Sequence, residues 1–145
     1  MDPIERMLAE HACERLQVTY ALTADCGDAD GFAALFTEDA AIHIPEYPPF
    51  AGYAAIHDSL LGLAGTGVTM RHVITNQQVT VTGPASAIGI CYLIVYDNPD
   101  PADENGTREV RPPSTVGEYR AQFVKTAEGW RFRERRLTRV FRPRP

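Results

Sequence analysis

A chain of 145 residues with 44% hydrophobic residues is long enough to bury a single core in one domain, with no metal or disulfide needed to hold it. Its net charge of −5 gives no general attraction to nucleic acid, and no apolar run approaches the roughly 20 residues of a membrane helix. Cys13, Cys26 and Cys91 are odd in number and show neither CxxC nor Cys/His ligand spacing, which argues for reduced thiols in a cytoplasmic protein.

The start, MDPIERMLAEH, is charged and helical in pattern, unlike a secretory signal. Asp2 reads as an N-cap, Pro3 as the first helical residue and Glu5 as the returning arm of a capping box. Ile4, Leu8, Ala12, Leu16 and Tyr20 recur every four residues, predicting one amphipathic helix to Cys26, with Gly27 as its stop. Asp25 falls in the last turn, where a carboxylate meets the negative end of the helix dipole at a cost of roughly 0.3 to 1 kcal/mol. Such local violations mark functional sites. Asp25 shares a helical face with Val18, Ala21 and Leu22 and is expected to point inward, either as a site residue or as a local turn acceptor.

Asp28 caps a shorter second helix whose apolar face is Phe32, Leu35 and Phe36, closed by Thr37-Glu38-Asp39. Ala40 to Ile44 reads as a short strand, and the proline-rich Pro45 to Gly52 as a rim loop. A third helix spans Tyr53 to Leu63 with Ile56 and Leu60 inward, ended by Gly62 to Gly67. That GLAGTG run trails a helix and lacks a Gly-Lys-Ser/Thr ending, so it is not a phosphate loop.

From Val68 the period changes to two and β-branched residues dominate. Val68 to Thr82, Ala85 to Tyr96, Ser114 to Thr126 and Trp130 to Phe141 read as four long strands. Tight turns join the first and last pairs, and the polar, proline-containing Asp97 to Pro113 is a long loop at one end of the sheet. Helices followed by an antiparallel meander imply an α+β domain with the helices on one face of a curved sheet. The strand Ala85 to Tyr96 is apolar on both faces, so its outer face is expected to be covered by another subunit. Its inner face, with Gly89 and Cys91, suits a wall that leaves room for a ligand. The arginines crowding the C-terminal end, Arg131 to Arg144, read as a solvated charge face or a partner for the acidic N-terminal end rather than a polyanion site.

His72 opens the first long strand and shares a face with Ile74 and Asn76; alone, such a histidine is more often a rim or core residue than a base. His11, His43 and His57 have weaker claims. No HExxH, no Gly-x-Ser-x-Gly and no carboxylate cluster with metal spacing is present, so no metal and no cofactor are expected.

Taken together, Tyr20, Asp25-Cys26-Gly27-Asp28, Phe32 through Ala40, Gly52 before a helix, His72 with Asn76, and Gly129-Trp130-Arg131-Phe132 with Arg135 resemble the SnoaL-like branch of the NTF2-like superfamily. The resemblance covers nearly the whole chain. It implies a cone in which three N-terminal helices pack on a curved, mainly antiparallel sheet around a deep pocket, and an oligomer, dimer or trimer. In scytalone dehydratase and hexachlorocyclohexane dehydrochlorinase, a His on the first long strand is the general base and an Asp at the end of the first helix orients it. His72 and Asp25 match those positions, Arg135 matches a pocket arginine of the dehydrochlorinase, and Tyr20 stands where that enzyme has a lysine.

A neutral imidazole takes a proton near physiological pH, and a carboxylate on its other ring nitrogen fixes the tautomer. Tyr20, Tyr119 and Arg135 are candidate donors to a developing oxyanion, with Cys91, Leu93 and Phe123 as apolar wall. The expectation is a cofactor-independent lyase or isomerase acting on a small hydrophobic or aromatic, cyclic or polyketide-like substrate. A polyketide cyclase and a noncatalytic module like the β subunit of ring-hydroxylating dioxygenases are the alternatives.

Overall fold

The computed structural model describes residues 1–145. Helix α1 spans Pro3–Cys26 and opens as its sequence predicts: Asp2 accepts from the amides of Ile4 and Glu5, and the Glu5 carboxylate accepts from the Asp2 amide at 3.0 Å. It ends at Gly27 in the left-handed region (φ 71°), with the Asp28 amide donating to the Thr23 carbonyl at 3.0 Å. Space matters there as well as backbone angle, since a Cβ at Gly27 would lie 3.1 Å from Ala64 Cβ.

The buried stripe of α1 differs from the predicted one. Ala9, Cys13, Gln17, Tyr20, Ala21 and Ala24 are buried, whereas Ile4 and Leu8 are exposed. The N-terminal half of the helix does pack on the sheet, with Glu10 accepting from the Val81 amide and Ala9 buried. A four-residue repeat, however, drifts about 40° per step on a helix of 3.6 residues per turn, so Ile4 and Leu8 fall off the face that Leu16 and Tyr20 reach. Val18 and Leu22 are exposed too, and Asp25 turns inward for another reason, given below.

Helix α2 covers only Ala29–Ala33. The chain then enters strand β1, Phe36–His43, so Phe36 and Thr37-Glu38-Asp39 belong to a strand and not to the end of a helix. Pairing with the far end of the chain overrides local propensity: β1 runs parallel to β6 (Gly129–Phe141), and the Phe132 amide donates to the Leu35 carbonyl at 2.8 Å. Within the expected rim loop, Phe50–Ala51 forms β2 against β1. Helix α3 is Tyr53–Ala64, with Ile56 and Leu60 buried as expected.

Strands β3 (Thr69–Gly83), β4 (Ser86–Asn98), β5 (Thr115–Thr126) and β6 complete a six-stranded sheet of order β2-β1-β6-β5-β4-β3, antiparallel except for β1 with β6. This is the predicted α+β architecture, and its core lies between the helices and the inner sheet face.

Two bulges decide which side chains reach that face. In β3 one extra residue lies between Thr75 and Gln78, with Asn76 at φ 52°. His72 and Ile74 face the helices before the bulge, Val79 and Val81 after it. Asn76 is exposed, not on the inner face with His72 as the uninterrupted alternation predicts. In β6 the extra residue is Arg133, between the pairs Phe123–Phe132 and Gln122–Glu134. It switches the inward set from Trp130 and Phe132 to Arg135 and Leu137.

Strand β4 has the two apolar faces its sequence shows. Ala87, Cys91 and Leu93 are buried, while Ile88, Tyr92 and Tyr96 are exposed on the outside.

Candidate active site

Asp25 reaches the sheet because β3 passes directly beneath the end of α1. Its carboxylate accepts from the His72 backbone amide at 3.0 Å and approaches His72 Nδ1 at 2.5 Å. Both side chains are only 11% exposed. Charge-assisted hydrogen bonds are roughly twice as strong as neutral ones, so these contacts offset the dipole penalty at the helix end. The carboxylate accepts the Nδ1 proton and leaves the Nε2 lone pair, which has no partner within the chain.

His72 lines a cavity of about 780 Å³ between sheet and helices, a size usual for small-molecule sites. Tyr20 and Phe32 line its inner end with Leu93 and Tyr119. Met70, Ile42, Leu60 and Leu137 add apolar wall, and Tyr47 and Phe50 bring the proline-rich segment to the mouth. Of the candidate residues named from sequence, Tyr20, His72, Leu93 and Tyr119 line this cavity, and Asp25 stands behind His72.

Cys91, Phe123 and Arg135 do not line it, which corrects the expectation for all three. The space beside Gly89 is taken by the Phe123 ring, whose Cε2 would be 2.9 Å from a Cβ there. Cys91 is fully buried against Arg135, with Nη2 to Sγ 3.8 Å, and burial pushes its thiol up in pKa despite the opposing effect of the guanidinium.

Arg135 itself is fully buried one layer behind the cavity wall. Its guanidinium carbon lies 3.9 Å from the Tyr119 ring centroid, 4.4 Å from that of Tyr20 and 4.7 Å from that of Phe132. No carboxylate pairs with it. Nη1 donates to Gln17 Oε1 at 3.3 Å, and Nε has no acceptor. The aromatic faces supply the negative potential that a carboxylate would otherwise provide. Arg135 therefore acts on the wall and cannot touch a ligand in the cavity.

The phenol oxygens of Tyr20 and Tyr119 are 3.4 Å apart. Burial, then the neighbouring Tyr20, push the Tyr119 phenol well above its ordinary pKa, so it remains a donor. The Tyr20 ring stands edge-on to His72, centroids 6.4 Å apart. An imidazole and two phenols thus share one largely apolar cavity. Gln17 was missed from sequence although its spacing from Cys13 and Tyr20 is helical; a polar residue on a buried stripe was the available signal. Arg139, at the cavity mouth, was missed because it looked like one arginine of a solvated series.

Helices packed on a six-stranded sheet around a half-open cavity make the NTF2-like fold. The chain belongs to the SnoaL-like domain family, whose profile matches residues 5–136. Among solved structures it is similar to a variant of Rv3472, a protein of unknown function from Mycobacterium tuberculosis, at 26% identity and TM-score 0.74, covering 88% of this chain and 74% of that one. It is also similar to a Novosphingobium aromaticivorans protein provisionally assigned as a scytalone dehydratase, at 23% identity and TM-score 0.75, covering 90% and 83%. A third is a Streptomyces avermitilis protein provisionally assigned as an NTF2-like dehydratase, at 16% identity and TM-score 0.78, covering 96% and 99%. At such identities the last two show the fold alone. No curated protein matches the chain. No helix is long and apolar enough to cross a membrane.

Proposed function

We propose that the protein is a cofactor-independent lyase or isomerase in which His72 abstracts a proton from carbon in a small hydrophobic or aromatic, polyketide-like substrate. The observation that carries the reading is the Asp25 to His72 Nδ1 contact of 2.5 Å beside an apolar cavity, with Nε2 unengaged. Nε2 takes the proton, and Asp25 holds the ring in the productive tautomer and stabilises the imidazolium. The electron pair of the broken C–H bond either expels a leaving group from the adjacent carbon or is delocalised onto a carbonyl oxygen facing Tyr20 and Tyr119. Reprotonation at a second carbon completes an isomerisation. Dehydration, isomerisation and cyclisation all begin with this step.

The step can be tested without the natural substrate, by following α-proton exchange of cyclic and aryl ketones in D₂O by NMR. Exchange is expected with the wild-type protein and lost in His72→Ala. Undiminished exchange in a folded His72→Ala protein overturns the assignment of the base.

We also propose that the outer face of β3 and β4 packs against a second copy of this chain. Ile88, Tyr92 and Tyr96 are exposed there, and the same sheet surface carries Glu118 beside Arg120 (3.4 Å) and Glu134 beside Arg136 (3.2 Å). Alternating charges of this kind are self-complementary about a two-fold axis. Sedimentation should give an oligomer that Tyr92→Glu dissociates, and a monomeric wild type overturns it.

A further inference from the structure

We propose that the cavity takes an amphipathic acid, its apolar body against the inner wall and an anionic group, a carboxylate or an isosteric oxyanion, at Arg139. The inference deepens the proposed function and rests on that cavity being the substrate site. Among the residues lining the cavity, Arg139 and His72 are the basic ones and Asp58 and Asp97 the acidic ones. Both carboxylates already have partners: Asp58 accepts from His57 at 3.1 Å, and Asp97 from the Ser114 hydroxyl at 2.5 Å. Arg139 has only Glu46, with Nη1 to Oε1 3.3 Å and no hydrogen-bond alignment. The Glu46 side chain is 73% exposed, whereas that of Arg139 is 26% exposed. Glu46 also sits at φ 75°, on the rim segment between β1 and β2. A guanidinium half out of water with one solvated, misaligned partner is a site a ligand carboxylate can enter by displacing it, with a bidentate geometry that Glu46 does not achieve.

The surroundings favour the same sign of ligand. Ile44, Tyr47, Leu137 and Arg139 are common to the cavity and to an adjoining groove of about 550 Å³. Arg136 and Arg142 line that groove, and Glu46 is the carboxylate among its lining residues. Arg136 is partly neutralised by Glu134 at 3.2 Å, but Arg142 has no ion-pair partner. The groove's lining, three arginines to one glutamate, therefore carries the sign opposite to the chain's net charge of −5. The position of Arg139 is built into the sheet: it pairs with Gly117, where a Cβ would fall 2.2 Å from the Thr138 carbonyl oxygen, so glycine alone permits this register. Arg139 and Arg142 both lie beyond residues 5–136, the stretch matched by the family.

The test compares two fluorescent probes on the full chain: 1-anilinonaphthalene-8-sulfonate and its neutral counterpart N-phenyl-1-naphthylamine, which lacks only the sulfonate. The wild type should bind the sulfonate about tenfold more tightly, with the advantage shrinking as salt rises. Arg139→Gln should remove that advantage and leave the neutral probe unchanged, while Glu46→Gln should tighten the sulfonate by freeing Arg139. Opposite signs in the two variants separate ligand recognition from a general loss of structure. Val95→Trp, which fills the cavity, should abolish binding of both probes. Equal affinity for the two probes in the wild type, a parallel loss of both in Arg139→Gln, or sulfonate binding that survives Val95→Trp each overturns the proposal. No turnover is read, so a failure of the His72 assignment in the exchange experiment leaves this result standing, and the reverse also holds.

Discussion

Three histidines in this molecule lie beside carboxylates, His43 only at 3.4 Å from Glu134; the two that are hydrogen-bonded to theirs, His72 and His57, differ in what is left over. His72 has one ring nitrogen against Asp25 and the other unengaged at the cavity, with both side chains 11% exposed. His57, on α3, has both nitrogens occupied: Nε2 lies 2.8 Å from Asp30 on α2, and Nδ1 lies 3.1 Å from Asp58. The carboxylates of that second cluster are largely in water, at 91% and 74% exposure. A histidine saturated on both sides is a clamp between helices. One saturated on a single side, in a sheltered chamber, retains a lone pair for chemistry. The number of carboxylates is the poorer guide to function; the free nitrogen and its surroundings are the better one.

The largest expected effect contrasts the two directly. His72→Ala should lower the rate of proton exchange by about 10² to 10⁴, the usual contribution of a general base, whereas His57→Ala should leave it unchanged. Thermal melts of both variants establish that each is folded. Equal losses of exchange in the two would erase the distinction drawn here.

Asp25 gives the next contrast. Removing its side chain strands the His72 backbone amide and ring N–H in a site only 11% exposed, and Asp25→Ala should therefore cost about 1 to 3 kcal/mol in urea unfolding. Asp30→Ala, at 91% exposure, should stay within about 0.5 kcal/mol. Asp25→Asn retains an acceptor for the backbone amide, so it should recover most of the stability while losing kcat. Recovery of both would make Asp25 a structural residue only.

This contrast also marks how far the sequence could be read. Asp25 was legible because a carboxylate at a helix C-terminus is locally unfavourable, and its payment comes from a strand 47 residues away. The helix caps, the four long strands and the double apolar face of β4 were legible because each is local or strictly periodic. Other features depend on pairings no window contains. The switch at Phe36 into β1 follows from parallel pairing with β6, at the opposite end of the chain. Cys91 and Phe123 read as cavity wall because inward-facing is equated with cavity-facing, and Arg135 because it matches a pocket arginine of the dehydrochlorinase, but the core behind Tyr20 and Tyr119 is thicker than one layer of side chains. Asn76 left the inner face through a bulge announced by nothing stronger than an asparagine in a run of polar residues.

The smallest effect concerns the clamp. The pKa of His57 is raised, first by its hydrogen bond to Asp58 and then by that to Asp30. Tyr53 stacks on the same ring, centroids 6.0 Å apart, and adds no charge. A folded-state value above the unfolded one means that protonated His57 favours the native state. That contribution is complete below the ordinary histidine value of about 6.5 and is lost as pH rises through the raised folded value. The melting temperature of the wild type should therefore exceed that of His57→Gln most at the acid end of the range and converge on it toward alkaline pH. Added salt should shrink the difference, because the paired carboxylates are solvated. A difference that stays constant with pH would mean that the ring holds α2 to α3 by shape alone, and the charge relation between the two histidine clusters would lose its second member.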